Sequence, residues 1–152
     1  MAKSKFGFDV VLSNFKRNEL KLVREIAVAQ KNYFMRSFDK QAWGNKPWKE
    51  VKRRIKGTPE WKYPKRKGLS RRKRKILVGS GALRRDLNNS IKVTTSKGVR
   101  FQMKQPYAAI HNDGGIMGNG GKMPKRQFIG WNREVDRITK ALIKKNTDQN
   151  FK

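Results

Sequence analysis

The chain has 152 residues, with 39 Lys and Arg against 11 Asp and Glu, a formal net charge of +28. That length suits one domain with a modest core; an apolar share of 36% leaves much of the chain outside it, and 15 aromatics argue against wholesale disorder. With no cysteine, disulfides, thiolate metal sites and cysteine nucleophiles are excluded, and no stretch approaches the ~20 apolar residues of a membrane span.

No N-terminal apolar run of signal-peptide type appears, so a cytoplasmic start is expected. A field of +28 attracts polyanions and repels further copies of the chain. DNA, RNA or an acidic protein surface is therefore an expected partner; the plainer alternative is a merely soluble basic surface. The charge is uneven: residues 1–42 carry +5, 43–75 carry +13 and 76–152 carry +10.

In chain order, residues 14–38 predict a long helix with Asn14 as its N-cap. Phe15, Leu22, Ile26, Ala29 and Tyr33 fall on one narrow face, with Leu20, Val23, Ala27, Phe34 and Phe38 beside it. Together they cover about half the circumference, more than one core-facing stripe needs. Such a helix either packs on two sides within its own domain or is shared with a neighbouring subunit. Val23 and Phe34 are the positions that would test the second alternative.

Residues 43–75 read as an irregular basic arm. Trp43, Trp48, Trp61 and Tyr63 alternate with cations, and Pro47, Gly57, Pro59, Pro64 and Gly68 break any long element. The arm closes on Lys62, Lys65, Arg66 and Lys67, then Arg71, Arg72, Lys73, Arg74 and Lys75 in unbroken succession. Such cations neutralise phosphates and release counterions, and tryptophans can stack on bases. The alternative for the tryptophans is that they anchor the arm to the core.

Gly81 to Asn89 predicts a short helix with Leu83 and Leu87 one turn apart. A hairpin follows over 91–103: Ile91, Val93 and Thr95 alternate with polar residues, Ser96-Lys97-Gly98 turns, and Val99, Phe101 and Met103 resume. His111 to Gly121 reads as a glycine-rich loop and Met123 to Ile129 as an extended segment. The last helix is expected from Trp131 to about Lys145, with Trp131, Val135, Ile138 and Leu142 on one face. Arg133, Arg137, Lys140 and Lys144 form a cationic row opposite, with no acid among them.

Chemistry finds little purchase. His111 is the only histidine, and a metal site usually needs three or four ligands. Gly79-Ser80-Gly81 lacks the spacing and the following Lys-Ser or Lys-Thr of a phosphate loop. A structural role beside the glycine loop is the expectation for His111, with no catalytic residue, metal or cofactor.

The order of several short stretches is more telling than any one of them. These are Pro47-Trp48; Ile76-Leu77-Val78 leading to Gly81-Ala82-Leu83 and Ser90-Ile91; Tyr107-Ala108-Ala109-Ile110-His111 with Gly114-Gly115; Met123-Pro124-Lys125-Arg126-Gln127-Phe128-Ile129-Gly130; and the closing amphipathic helix. In this order, over roughly residues 40–145, the chain resembles the phage virion morphogenesis family, the tail-completion group of Mu-like phages, similar to neck proteins of other long-tailed phages. It departs from the family in Lys125, where a small residue is usual, in Asn112 and Asp113 after the histidine, and in a 62–75 run more basic than the family requires.

The resemblance implies an α+β fold, a small antiparallel sheet packed with long N- and C-terminal helices. It implies a non-enzymatic virion part that forms a homo-oligomeric ring near the head–tail junction, beside connector, neck or tail proteins. Genomic DNA, contacted without regard to sequence, is a candidate partner, and no membrane is. Trp48, Gly81, Leu83, Tyr107, His111, Gly114, Gly115, Pro124, Arg126 and Phe128 are its assembly or structural positions. The competing function is a basic nucleic-acid-binding protein of ribosomal or nucleoid type, which composition by itself would favour.

Overall fold

The computed structural model describes residues 8–63, 73–95 and 98–150. The first element, α1 (Phe8–Lys40), runs for 33 residues. No glycine or proline occurs between Gly7 and Gly44, so nothing in the sequence stops the helix at the expected start. Asn14 is therefore not an N-cap; it lies inside α1. The helix ends where Gln41 takes a left-handed conformation at φ +54.

The chain then reverses through a minimal hairpin, β1 (Ala42–Trp43) against β2 (Lys46–Pro47), with Gly44 at φ +58 in the two-residue turn. This reversal returns Trp48 to the end of α1, where its amide donates to the Gln41 carbonyl at 2.8 Å and its ring meets Phe38 edge-on at 5.8 Å. The arm is thus less irregular than its composition suggests. It continues through a 3-10 turn (Lys52–Arg54) and a short helix, α2 (Pro59–Lys62), capped by the Thr58 hydroxyl. Thr58-Pro59-Glu60 is the start signal that the proline count concealed.

Helix α3 (Ala82–Asn88) begins after Gly81, which stands at φ +77, and buries Leu83 and Leu87. The hairpin follows as β3 (Ile91–Thr95) and β4 (Gly98–Phe101), antiparallel, with a bulge between Val93 and Thr95. Its tip, Ser96-Lys97, lies outside the described residues. Met103 falls beyond β4, yet still packs against the core.

The expected glycine loop is corrected in its first part. His111 belongs to a helix, α4 (Ala108–Asp113), and Gly114 ends it at φ +75. Past Gly114 the chain forms another minimal hairpin, β5 (Gly115–Ile116) with β6 (Lys122–Met123). Residues 124–128 belong to no helix and no strand ladder.

The last helix, α5 (Arg133–Asn150), starts two residues later than expected. Asn132 is its cap, its side-chain oxygen accepting from the Val135 amide at 2.9 Å. Trp131 is therefore not part of the helical stripe, and it is 62% exposed. Val135 is buried, whereas Ile138 and Leu142 are half-buried.

The architecture is α+β: α1 and α5 pack along one another in opposite directions, and the β3–β4 hairpin lies against α1. Gln30 donates to Thr139 at 3.0 Å and Asn132 to the Tyr33 hydroxyl at 2.7 Å, which fixes the helix pair in register. The core is Phe34, Phe38, Trp48, Ile76, Leu83, Leu87, Ala108, Phe128 and Val135. Phe34 thus serves the fold from inside, and it presents nothing to a neighbour. On α1, Val23 is half-buried, while Leu20 and Val28 are exposed.

Candidate functional site

The short stretches that stand far apart in sequence converge in space. Helix α4 supplies Asn112, whose side-chain oxygen accepts from the amides of Phe128 at 3.0 Å and Ile129 at 3.1 Å. The Arg126 amide donates to the His111 carbonyl at 2.9 Å. These bonds give the ladderless 124–129 segment its backbone partners and seat Phe128 fully in the core beside Phe38. Trp48 clamps the other side, its indole N–H donating to the Gln127 carbonyl at 2.7 Å.

Gly114 has a physical reason to be glycine. A Cβ there would lie 2.8 Å from the Lys125 amide nitrogen and 3.0 Å from the Met123 carbonyl, and the φ is positive as well. Gly115, at φ +133, would bring a Cβ to 3.2 Å from the Ile110 methyl. The α4–β5 corner therefore closes only on small residues. Pro124, half-buried, leads from β6 into the pinned segment.

Arg126 lies at the centre of this cluster and is only 6% exposed. Its Nε donates to the Lys49 carbonyl at 3.1 Å, and one Nη reaches the Met123 sulfur at 3.7 Å. Burial pushes its pKa below the ordinary value, as does Arg53 nearby, and Glu50 opposes them. His111 lies edge-on to Tyr107, with ring centres 5.8 Å apart. Its pKa is lowered, first by burial and then by Arg126, so the neutral ring is favoured. Its Nδ1 is buried with no hydrogen-bond partner among the described residues.

Gly81, Leu83, Tyr107, His111 and Arg126, singled out separately in the sequence, border one cleft of about 460 Å³. Arg74, from the end of the basic run, borders it too. Leu77, from the Ile76-Leu77-Val78 stretch, also lines this cleft, as does Arg53, which was not singled out in the sequence.

The other cations singled out in the sequence lie at the surface where they are described. Lys62, Lys73, Arg74 and Lys75 are exposed; Lys65, Arg66, Lys67, Arg71 and Arg72 lie outside the described residues. Lys75 is drawn toward α1, with its Nζ 3.8 Å from Oδ1 of Asp39, whose Oδ2 lies 3.1 Å from the Arg84 guanidinium. The row on α5 is not acid-free. Arg137 donates to Glu134 at 2.7 Å and Lys140 pairs with Asp136 at 2.8 Å. Both acids sit one turn before their cations, the spacing that lets helical side chains meet. Arg133 and Lys144 are exposed.

Sequence reasoning missed the polar side chains that serve remote backbone. Besides Asn112 and Asn132, these are Gln41, whose side-chain oxygen accepts from the Ile76 amide at 3.0 Å, and Asp86, which accepts from Lys104 and Gln105 at 2.7 and 2.8 Å. Periodicity carries no trace of such contacts. Among the described residues, no group of three His, Cys, Asp or Glu gathers as a metal site would, and no helix is long and apolar enough to cross a membrane.

A family model described as the phage virion morphogenesis family matches residues 5–147. Searches of curated proteins and of solved structures return no match. The match spans nearly the whole chain, which therefore belongs to the phage virion morphogenesis family.

Proposed function

We propose that this member of the phage virion morphogenesis family is a structural, non-enzymatic part of a tailed-bacteriophage particle at the neck or tail-completion level. Family membership carries the virion-associated role itself. The finer reading is a homo-oligomeric ring around the DNA channel, in contact with adjoining connector, neck or tail proteins and built first in the host cytoplasm.

The observation that supports it most is the imbalance of charge at the surface. Ion pairs exist, but 39 cations share 11 acids, so pairing within the chain leaves +28. Subunits with that charge repel one another in a ring unless something negative lies beside them. In a neck, the genome and acidic faces of adjoining rings supply it. The cations from Lys62 to Lys75 and the row Arg133, Arg137, Lys140 and Lys144 are the contacts assigned to that role. Arg137 and Lys140 would exchange Glu134 and Asp136 for it at small cost, since exposed pairs are weak. Point charges read phosphates and not base edges, so DNA contact would be independent of sequence.

The test is a virion carrying Arg71, Arg72, Lys73, Arg74 and Lys75 all changed to Gln. Impaired assembly, packaging or ejection is expected, while a particle indistinguishable from the parent would reduce the run to a solvated surface. Salt separates the two polyanions. If six to ten phosphates are contacted, DNA affinity falls roughly 10³–10⁵-fold between about 50 and 200 mM salt. An acidic protein partner would give a shallower slope and no competition by free DNA.

A further inference from the structure

Arg126 is a buried guanidinium that no carboxylate among the described residues reaches within ion-pair distance. Its side chain donates to a main-chain carbonyl and a thioether, and a thioether is a weak acceptor. A cation withdrawn from water this far normally has a counter-charge in contact, because desolvation is costly, and Glu50 acts on Arg126 only from beyond ion-pair distance. The cleft that Arg126 lines has no Asp or Glu among its described wall residues, and it adds Arg53 and Arg74. Val51, Leu77, Val78 and Tyr107 give the rest of the wall its accessible apolar side chains, beside the backbone of residues 79–81. Leu77 stands at φ +59, a conformation a branched side chain adopts only under constraint from its surroundings and one that gathers at ligand clamps. His111, whose Nδ1 is buried without a hydrogen-bond partner among the described residues, lines the same cleft.

We propose that this cleft binds an acidic, apolar segment of a neighbouring virion protein. A Glu or Asp carboxylate sits on the Arg126 guanidinium, within the field of Arg53 and Arg74, and an adjacent aliphatic side chain covers Leu77, Val78 and Tyr107. The inference is independent of the particle tier and of DNA contact. A planar carboxylate matches the guanidinium fork and takes two parallel N–H donations from it. The apolar wall selects against a DNA strand, which would bring phosphates and sugars and leave that wall wet. Charge complementarity favours a separate acidic protein over a second copy of a chain at +28.

The test is an NMR titration of the full chain labelled with ¹⁵N. The probes are acetyl-Leu-Glu-Leu-amide, the same peptide with Gln for Glu, and a short DNA duplex. The Glu peptide is expected to shift the Arg126 Nε–H and the amides of residues 79–83 saturably. The Gln peptide should bind at least about tenfold more weakly, in keeping with a charge-assisted bond. Arg74→Gln, at an exposed site, should weaken the Glu peptide severalfold and leave the rest of the spectrum unchanged, which covers the case in which Arg126→Lys fails to fold. Equal binding of both peptides, or no saturable shift, overturns the proposal. A stronger response of the same amides to DNA would make the cleft a phosphate site, and a shift on concentrating the protein alone would make it a self-contact; either refutes it.

Discussion

Arg126 and Arg137 are eleven positions apart and live under opposite physics. Arg126 is buried in the 122–130 segment, held by a backbone carbonyl, and its pKa is pushed down by burial and by another arginine. Arg137 is on the open face of α5, bound to a carboxylate one turn away, and its pKa is pushed up by that bond. The first contributes geometry to one place; the second contributes charge to a surface. A count of +28 merges the two, and only burial separates them. The same contrast divides the molecule: a pinned cluster around Trp48, α4 and Phe128, and a cationic exterior formed by the arm and α5.

The contrast breaks most visibly at the cluster's aromatic centre. Phe128→Ala removes a fully buried ring wedged against Phe38, and a loss of about 3–5 kcal/mol in unfolding free energy is expected by denaturant titration. A loss below about 1 kcal/mol would show that the cluster is loosely packed and that the distinction from the exterior is false.

Asn112→Ala probes the hydrogen bonds instead of the packing. It leaves the amides of Phe128 and Ile129 without their acceptor, and about 1–3 kcal/mol should be lost. Asn112→Asp keeps an acceptor oxygen and should recover part of it, a recovery that a merely steric role for Asn112 would not show.

The pH dependence sharpens the comparison further. His111 has a lowered pKa in the folded state, so the unfolded chain binds its proton first. Stability from this group is complete above the ordinary value near 6.5 and declines as pH falls through it toward the lowered folded value. Thermal melts between about pH 7.5 and 5.5 should show a shallow decline on acidification, and His111→Gln should flatten it. A steeper decline in the variant would contradict the assigned sign.

The smallest effect is expected outside. Asp136→Asn releases Lys140 on an exposed helix face, and stability should change by no more than about 0.5 kcal/mol, less in high salt. If DNA binding strengthens in that variant because a cation is freed, α5 is a polyanion surface; unchanged binding would remove α5 from it.

Much of the fold was legible because it depends on local spacing. The two long helices, the short helix at Leu83 and Leu87, and the 91–103 hairpin follow from apolar periods of 3.6 and 2. Their ends were less so: Asn14 looks like a cap but has only helix-compatible residues before it, and Trp131 looks like part of a stripe but precedes the cap at Asn132. Of the site, the residues at Gly81, Leu83, Tyr107, His111 and Arg126 could be named from their motifs, but not their convergence on one cleft.

The sequence by itself determined the α+β order of elements, the excess of positive charge and the family, since periodicity, composition and motif order are properties of the line of residues. Only the tertiary structure decided which cations are interior and which are surface, that Phe34 belongs to the core, and that Arg137 and Lys140 have acids beside them. It also decided that Asn112 and Trp48 hold a segment that has no strand to pair with. Each depends on backbone groups and side chains brought together from distant positions, such as Lys49 with Arg126 or Trp48 with Gln127. The free energy of burying a charge or leaving an amide unpaired is set by those neighbours, and neighbours in space are not written in order along the chain.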